Sequence, residues 1–208
     1  MKTLFFCLLI LGNSWGSKPE NNRPAPGGIS VLAVNSNLSS ISWKAEKTTG
    51  SHLGTVRIQS GSLTMRCGQL DKGAVLINMG SLEVTDLSAP DKQKLENNLK
   101  GNNFFDTDKF PMARLEIVSV DHRSEKVNHF ITVLSNLTVH GITKQIVFTA
   151  DVSKSNYTDF AAQADIVILR RDFNIATDNI KYNTFINNNI RLHVSIQASK
   201  PAEQLSSL

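Results

Sequence analysis

Apolar residues recur at every second position along much of this chain, and that spacing constrains the fold more than any other feature of the sequence. In 190–198 every even-numbered residue is apolar, whereas the odd-numbered residues are Arg, His, Ser and Gln. The same period recurs at 145–152 and 161–169. Because successive side chains of a β-strand point to opposite faces, this pattern predicts strands with one buried face.

Several further segments are predicted as strands. Residues 74–79 are apolar on both faces, which indicates a strand that is covered on both sides. At 113–120 the apolar face switches between Ile117 and Val118, and this switch predicts a β-bulge. The two faces of 130–137 are mixed. The remaining predicted strands lie at 30–35, 38–46, 53–60 and 62–67, with Gly61 between the last two.

One helix is predicted among the strands. Asp86 or Ser88 is placed to cap its start, Pro90 falls in its first turn, and Gly101 follows its last residue. The narrow apolar stripe of this helix, about ten residues long, predicts that it lies over one mouth or one wall of the sheet structure. Eight to ten strands joined mostly in sequence order close most simply into an antiparallel barrel or a sandwich.

The ends of the chain are predicted to lie outside the folded domain. Residues 1–16 combine a basic start, a nine-residue apolar run and small residues before a cleavage point, which is typical of a secretory signal peptide. Residues 17–33 are predicted as a flexible linker, 34–199 as the domain and 200–208 as a tail. We therefore expect an exported protein, either periplasmic or secreted. Since Cys67 is the one cysteine left after cleavage, core packing has to stabilise it without an intramolecular disulfide.

The composition excludes several classes of protein. The chain has 208 residues, of which 40% are hydrophobic and 19% charged, and these fractions rule out a disordered chain. No apolar run reaches the roughly 18 residues of a membrane-spanning helix.

The five histidines lack zinc-site spacing, so no metal is predicted. Basic residues are scattered, with Arg170-Arg171 as the one tight pair, and no nucleic-acid partner is predicted.

The segment Gly50–Gly54 (GSHLG) places Ser51 next to His52. It lacks the spacing of a nucleophile elbow, and neighbouring residues of a strand point to opposite faces. A turn leading into a strand is therefore the favoured interpretation. A secreted hydrolase that uses this pair is kept as one alternative function, and an interaction or adhesion sandwich with a solid core as the other.

Three phenylalanines surround a polar turn in the segment FFDTDKFP (104–111). The rings of Phe104, Phe105 and Phe110 have to be buried against another part of the protein. They either plug one end of a barrel or line a ligand cavity, and both interpretations stay open at this point.

Five segments, taken in order, resemble parts of YceI-like domains. Residues 36–63, with Trp43 in a strand before the Gly50–Gly54 turn, resemble the opening of that domain. Residues 99–120 resemble its most specific signature, in which a helix end is followed by Phe-Phe-Asp and then by Phe-Pro before a strand. The other segments are GAVLINMGSLEVTDL (73–87), VLSNLTVHGITKQIVFTADV (133–152) and ILRRDFNIATDN (168–179).

The resemblance implies an all-β fold, namely an extended antiparallel lipocalin-like β-barrel of about eight strands with one short helix between strands. It also implies that a long apolar ligand, such as a polyisoprenoid or an isoprenoid quinone, lies inside the barrel. A barrel of eight strands is wide enough for one slender ligand. A few polar groups at one mouth would orient its head group, and we predict His52 and Arg170 for that role. The residues predicted to contact the ligand are Trp43, His52, Met79, Phe104, Phe105, Phe110, Leu134, Phe148, Ile166, Ile168, Arg170 and Phe173.

The function predicted from this resemblance is that of a non-catalytic protein which carries or sequesters the lipid in the cell envelope. The predicted partner is the apolar lipid itself, with no other cofactor. The net charge of +4 favours a transient contact with an anionic membrane surface, and association into a homodimer is left open.

Overall fold

Strands account for most of the structure, a computed structural model that describes residues 28–123, 129–177 and 185–201. Nine strands, one α-helix and one short 3-10 helix are present in these ranges. In chain order they are β1 (Ile29–Val34), β2 (Ser40–Lys47), β3 (Gly50–Arg66), β4 (Gln69–Val84), α1 (Asp91–Lys100), β5 (Met112–Asp121), β6 (Phe130–Val139), β7 (Ile142–Ser155), β8 (Asp159–Leu169), the 3-10 helix (Arg170–Phe173) and β9 (Ile186–Ser199).

The sheet closes on itself. Each strand from β2 to β9 pairs antiparallel with the next strand in the sequence, and β2 also pairs with β9, as in the pair Ile41 and Val194. The ninth strand, β1, pairs with the second half of β3 and with the end of β9. Strands β1 and β2 both lie between β3 and β9, each along a different part of these two strands, so together they form one of the eight staves of the barrel wall. The predicted antiparallel barrel of about eight strands is confirmed, and the sandwich interpretation is wrong.

The alternation of apolar residues sets which side chains face the interior. In β8 the even-numbered residues from Phe160 to Ile168 are buried, and the odd-numbered ones point outward. The predicted bulge in β5 is confirmed, because the pairing of β5 with β6 shifts between Ile117 and Ser119. Since one extra residue reverses which side chains face inward, the bulge explains the switch of the apolar face.

Two predicted boundaries are wrong. The expected break at Gly61 does not occur, because β3 is one strand of 17 residues. A Cβ at Gly61 would lie 2.8 Å from Val34 Cγ2, so glycine here allows β1 to approach closely and does not end the strand. The predicted linker, 17–33, is too long at its end, because β1 begins at Ile29. The predicted signal peptide, 1–16, lies outside the described residues, as do 17–27 of the linker and 202–208 of the tail.

The predicted helix is present, with ten residues, and Gly101 follows its last residue. Its start differs from the prediction, because Pro90 occupies the N-cap position and no side chain caps the helix. Asp86 is not the cap because its carboxylate is bonded elsewhere, as described below. Among the described residues, no helix has both the length and the apolar character needed to cross a membrane.

The barrel has two different ends. The helical end carries α1, the loop that leads from it to β5, the β6–β7 turn and the 3-10 helix. The opposite end, called here the turn end, carries the β3–β4 and β7–β8 turns. These turns touch each other, since Ser155 Oγ donates a hydrogen bond of 2.8 Å to the carbonyl of Gly68.

Candidate functional site: an apolar cavity inside the barrel

The interior of the barrel encloses a cavity of about 210 Å³. Its wall takes side chains from every strand of the closed ring, β2 to β9. All the residues that line it are apolar except Gln163 and Arg170. Such a wall offers dispersion contacts and almost no hydrogen-bonding partners, so it suits a hydrocarbon and disfavours a polar molecule.

Short side chains keep this interior open. Five alanines line the cavity, one each in β2, β5 and β7 and two in β8: Ala45, Ala113, Ala150, Ala162 and Ala164. The interior of an eight-stranded barrel is narrow enough for larger side chains to fill it. The alanines are therefore the residues that leave room for a ligand.

Trp43 forms part of the wall because Gly54 lies opposite it. The two residues are paired across β2 and β3, and a Cβ on Gly54 would lie 2.3 Å from the indole ring and 2.0 Å from the carbonyl oxygen of Glu83. The indole Nε1 donates a 3.3 Å hydrogen bond to the carbonyl of Thr55. The last glycine of the GSHLG segment thus fixes how the tryptophan borders the cavity.

Replacing Gly54 by alanine should destabilise the fold by about 2–3 kcal/mol, because the new methyl group overlaps backbone that cannot move without parting β3 from β4. Urea unfolding of the variant checks this value. Gly80→Ala is the matched control in β4, since its Cβ would meet only the side-chain oxygen of Asn78, at 3.2 Å. Equal effects of the two substitutions would contradict the proposed contact.

Eight of the twelve residues predicted to contact the ligand lie on the cavity wall. They come from β2, β4, β7, β8, the loop after α1 and the start of the 3-10 helix: Trp43, Met79, Phe104, Phe105, Phe148, Ile166, Ile168 and Arg170. Phe104 and Phe105 therefore line the cavity, as one interpretation of the segment 104–111 predicts. They do so at one end of the barrel, the helical end, where the other interpretation places them.

The other four predicted residues, His52, Phe110, Leu134 and Phe173, do not line the cavity. Leu134 lies on the outward face of β6, because the residues on either side of it in that strand point inward. Phe110 packs on the β6–β7 turn, with its ring 4.9 Å from that of His140. Phe173 is buried under the same turn, and its carbonyl accepts a 3.1 Å hydrogen bond from His140 Nδ1.

His52 is held by Asp86 away from the cavity. Its Nδ1 lies 3.0 Å from Asp86 Oδ2, and the other carboxylate oxygen accepts a hydrogen bond from the backbone N–H of Leu53. No hydrogen bond joins Ser51 to His52 in the described part of the chain. The pair does not form the nucleophile–base contact that the hydrolase alternative requires.

The pKa of Asp86 is lowered from its ordinary value of 3.8. Burial raises the pKa, but the hydrogen bonds from Leu53 and His52 act in the opposite direction and outweigh it. A carboxyl group whose pKa is lowered by folding stabilises the folded state above its ordinary pKa. That contribution is lost as the pH falls through the folded value.

We therefore expect Asp86→Asn to lower the free energy of unfolding by about 1 kcal/mol at neutral pH, because the asparagine cannot supply the charge that His52 faces. The difference between the two proteins should shrink as the pH falls below 3.8. Urea unfolding of both proteins at several pH values measures it. A difference that does not change with pH would contradict this account of Asp86.

Arg170 is the one charged residue on the cavity wall, and it is only 1% exposed. Its guanidinium donates to four backbone carbonyls beyond β8, those of Ile175, Ala176, Ile186 and Asn187, over 3.0–3.2 Å. Burial, and to a lesser degree the charge of Arg171, lowers the pKa of this group, which nevertheless stays protonated. Arg170 thus joins the 3-10 helix to the residues that follow it and to the start of β9.

Sequence reasoning missed most of the wall. The alanines, Gln163 and many of the isoleucines that line the cavity were not singled out, although the alternation in β8 already places several of them on the inward face. No group of three or more His, Cys, Asp or Glu side chains that could hold a metal ion occurs within 28–123, 129–177 and 185–201.

A family model described as YceI-like domain matches residues 32–198. Solved structures share the fold. BcnA of Burkholderia cenocepacia is 14% identical, with a TM-score of 0.64 over 80% of this chain and 99% of that one. A polyisoprenoid-binding domain from Saccharophagus degradans, implicated in plant cell wall breakdown, is 16% identical, with a TM-score of 0.60 over 84% and 100% of the two chains.

A third similar structure is the YceI protein of Campylobacter jejuni, which is 21% identical and has a TM-score of 0.51 over 64% of this chain and 75% of that one. No curated protein sequence matches the chain. At these identities the structural likeness concerns the fold.

Proposed function

The chain belongs to the YceI-like domain family, and from this membership and its apolar cavity we propose that it binds a long, slim lipid of isoprenoid type inside the barrel. The observation that carries the proposal is the cavity wall, which holds only two polar residues. Each buried methylene of a ligand contributes roughly 0.8 kcal/mol, so the lining alone supplies the driving force. Ordering the flexible tail offsets part of it.

The size of the cavity limits the length of tail that it takes. One water molecule needs about 10–15 Å³ of cavity volume. A methylene group is about as large as a water molecule and needs about the same cavity volume. A cavity of about 210 Å³ therefore accommodates on the order of 15–20 carbon atoms, which corresponds to about three or four isoprene units. We propose the eight predicted residues on the wall as tail contacts, with the head group at the helical end near Arg170.

The same proposal covers what the protein does with the lipid. It carries or sequesters the lipid without chemical change, in the periplasm or outside the cell, and the signal-peptide pattern of residues 1–16 supports the export. A transient contact with an anionic membrane surface, a homodimer and the need for no other cofactor remain predictions. The hydrolase alternative has less support, since Ser51 and His52 are not assembled as a pair.

Titration of the protein with isoprenoid quinones of increasing tail length tests the proposal, because a quinone bound beside Trp43 quenches its fluorescence. The chain has two tryptophans, and Trp15 lies in the predicted signal peptide, so the processed protein, or a Trp15→Phe variant of the full chain, has Trp43 as the one reporter. Affinity should rise steeply up to about three or four isoprene units and then level off. A quinone head group without a tail is the control. Equal binding of the head group alone would contradict the proposal.

A further inference from the structure

The backbone ladder between β7 and β8 covers only part of their length. These strands pair only near the turn end, where Asp151–Ser155 lies beside Phe160–Gln163. Between this point and the helical end, no backbone pair joins Ile142–Ala150 of β7 to Ala164–Leu169 of β8, and the structure describes all of these residues. The other edge of each strand is fully paired, because β7 pairs with β6 and β8 pairs with β9 along these same residues. We call this unpaired stretch the β7–β8 cleft.

The cavity reaches the cleft from inside. Inward-facing residues of both unpaired segments line it: Ile146, Phe148, Ala150, Ala164, Ile166 and Ile168. Gln163, at the base of the cleft, also borders the cavity although it is exposed and lies on the outward face of β8. The cavity therefore lies directly behind the cleft, from Gln163 at its base to Ile168.

The outer rim of the cleft is apolar as well. Val147 of β7 is 63% exposed, and Val167 and Leu169 of β8 are 49% and 39% exposed. If the pairing of Asp151 with Gln163 were continued, Val147 would lie opposite Val167. Exposed apolar side chains on both sides of an opening into an apolar cavity give a hydrocarbon tail contacts outside as well as inside.

Hydrogen bonds hold the described parts of both ends of the barrel together. The four hydrogen bonds of Arg170 to backbone carbonyls hold the helical end, and the two turns of the opposite end are joined by the hydrogen bond from Ser155 to Gly68. On both sides of these two strands, parting β6 from β7 or β8 from β9 breaks ladder pairs along nearly the whole length of the strands. The upper parts of β7 and β8 share no ladder pair, so we expect this part of the wall to open readily.

We propose that the β7–β8 cleft is the lateral portal through which the apolar tail of the ligand enters and leaves the barrel. The proposal rests on the lipid-binding function proposed above and adds the route to it. It commits to a hydrocarbon tail as the occupant, because inward-facing residues of both unpaired segments line the apolar cavity and the exposed rim residues are apolar.

A reversible cross-link across the cleft tests the portal. Val147→Cys and Val167→Cys are combined in a background that carries Cys7→Ser and Cys67→Ser, and the two thiols are joined by a bismaleimide with a reducible disulfide in its spacer. The rate of uptake of an isoprenoid quinone, measured by the quenching of Trp43 fluorescence, should fall at least tenfold. Reduction of the spacer should restore this rate. The matched control cross-links Val167→Cys to Arg191→Cys, a directly paired position on the intact β8–β9 seam.

A second pair of variants avoids any cross-link. Val147→Glu with Val167→Glu places charges on the rim and should also slow uptake. Ile29→Glu with Val31→Glu, at 59% and 47% exposure on β1, is the control with nearly the same exposure. Unchanged uptake in both the cross-linked protein and the rim variant would overturn the portal and leave the lipid-binding function standing. No quenching by the quinone in the unmodified protein would overturn both.

Discussion

Ala164→Phe should lower the affinity for an isoprenoid quinone at least about 100-fold. Ala164 faces the interior from β8, and a phenyl ring at this position occupies space that the tail needs. Exclusion of about four carbon atoms of the tail costs on the order of 3 kcal/mol, which corresponds to that factor. The Trp43 quenching titration measures the affinity, and urea unfolding shows whether the variant still folds.

Ala161→Phe is the matched control for this experiment. It makes the same change in the same strand, but Ala161 lies on the outward face and does not line the cavity. Its affinity should stay within about twofold of that of the unmodified protein. If Ala164→Phe folded and bound the quinone as tightly as Ala161→Phe, the ligand would have to lie elsewhere.

Arg170→Met should lower the free energy of unfolding by about 3–5 kcal/mol, the largest stability effect that we expect from one substitution. Methionine keeps the length of the side chain but removes the donors that serve the carbonyls of residues 175, 176, 186 and 187. Buried carbonyls that lose their donors cost about 1–3 kcal/mol each, reduced by whatever relaxation admits water. Thermal or urea unfolding measures the loss.

The neighbouring Arg171→Met provides the comparison. Arg171 is exposed, so the same change of residue type should alter stability by no more than about 0.5 kcal/mol. Similar losses in the two variants would mean that Arg170 does not act through its buried hydrogen bonds.

The alternation of apolar residues was enough to predict an all-β fold and the bulge in β5, and the residues typical of helix starts and ends predicted the short helix. Each of these depends on local spacing, because the period of the pattern reports directly which face of a strand is buried. The boundary at Gly61 could not be predicted in the same way. Glycine weakens a strand by itself, and only the close approach of Val34 in the folded barrel shows why the strand continues.

The candidate site was only partly predictable for a related reason. A large apolar side chain gives the same signal whether it lines a cavity or packs elsewhere, so Phe148 and Phe110 looked alike although only Phe148 lies on the wall. Leu134 was predicted to contact the ligand, although the two faces of 130–137 are mixed and do not show which of them points inward. The split between β7 and β8 is a property of pairing between strands, and neither strand alone carries a pattern that reports it.

Mass spectrometry of lipid taken up by the barrel tests the central claim most directly. The purified protein is incubated with vesicles that contain an isoprenoid quinone and a polyprenol, separated from them, and examined by native mass spectrometry and by organic extraction. We predict one bound isoprenoid lipid per chain in the unmodified protein and in Ala161→Phe, and none in Ala164→Phe. An unmodified protein that carries no lipid after this treatment would contradict the account.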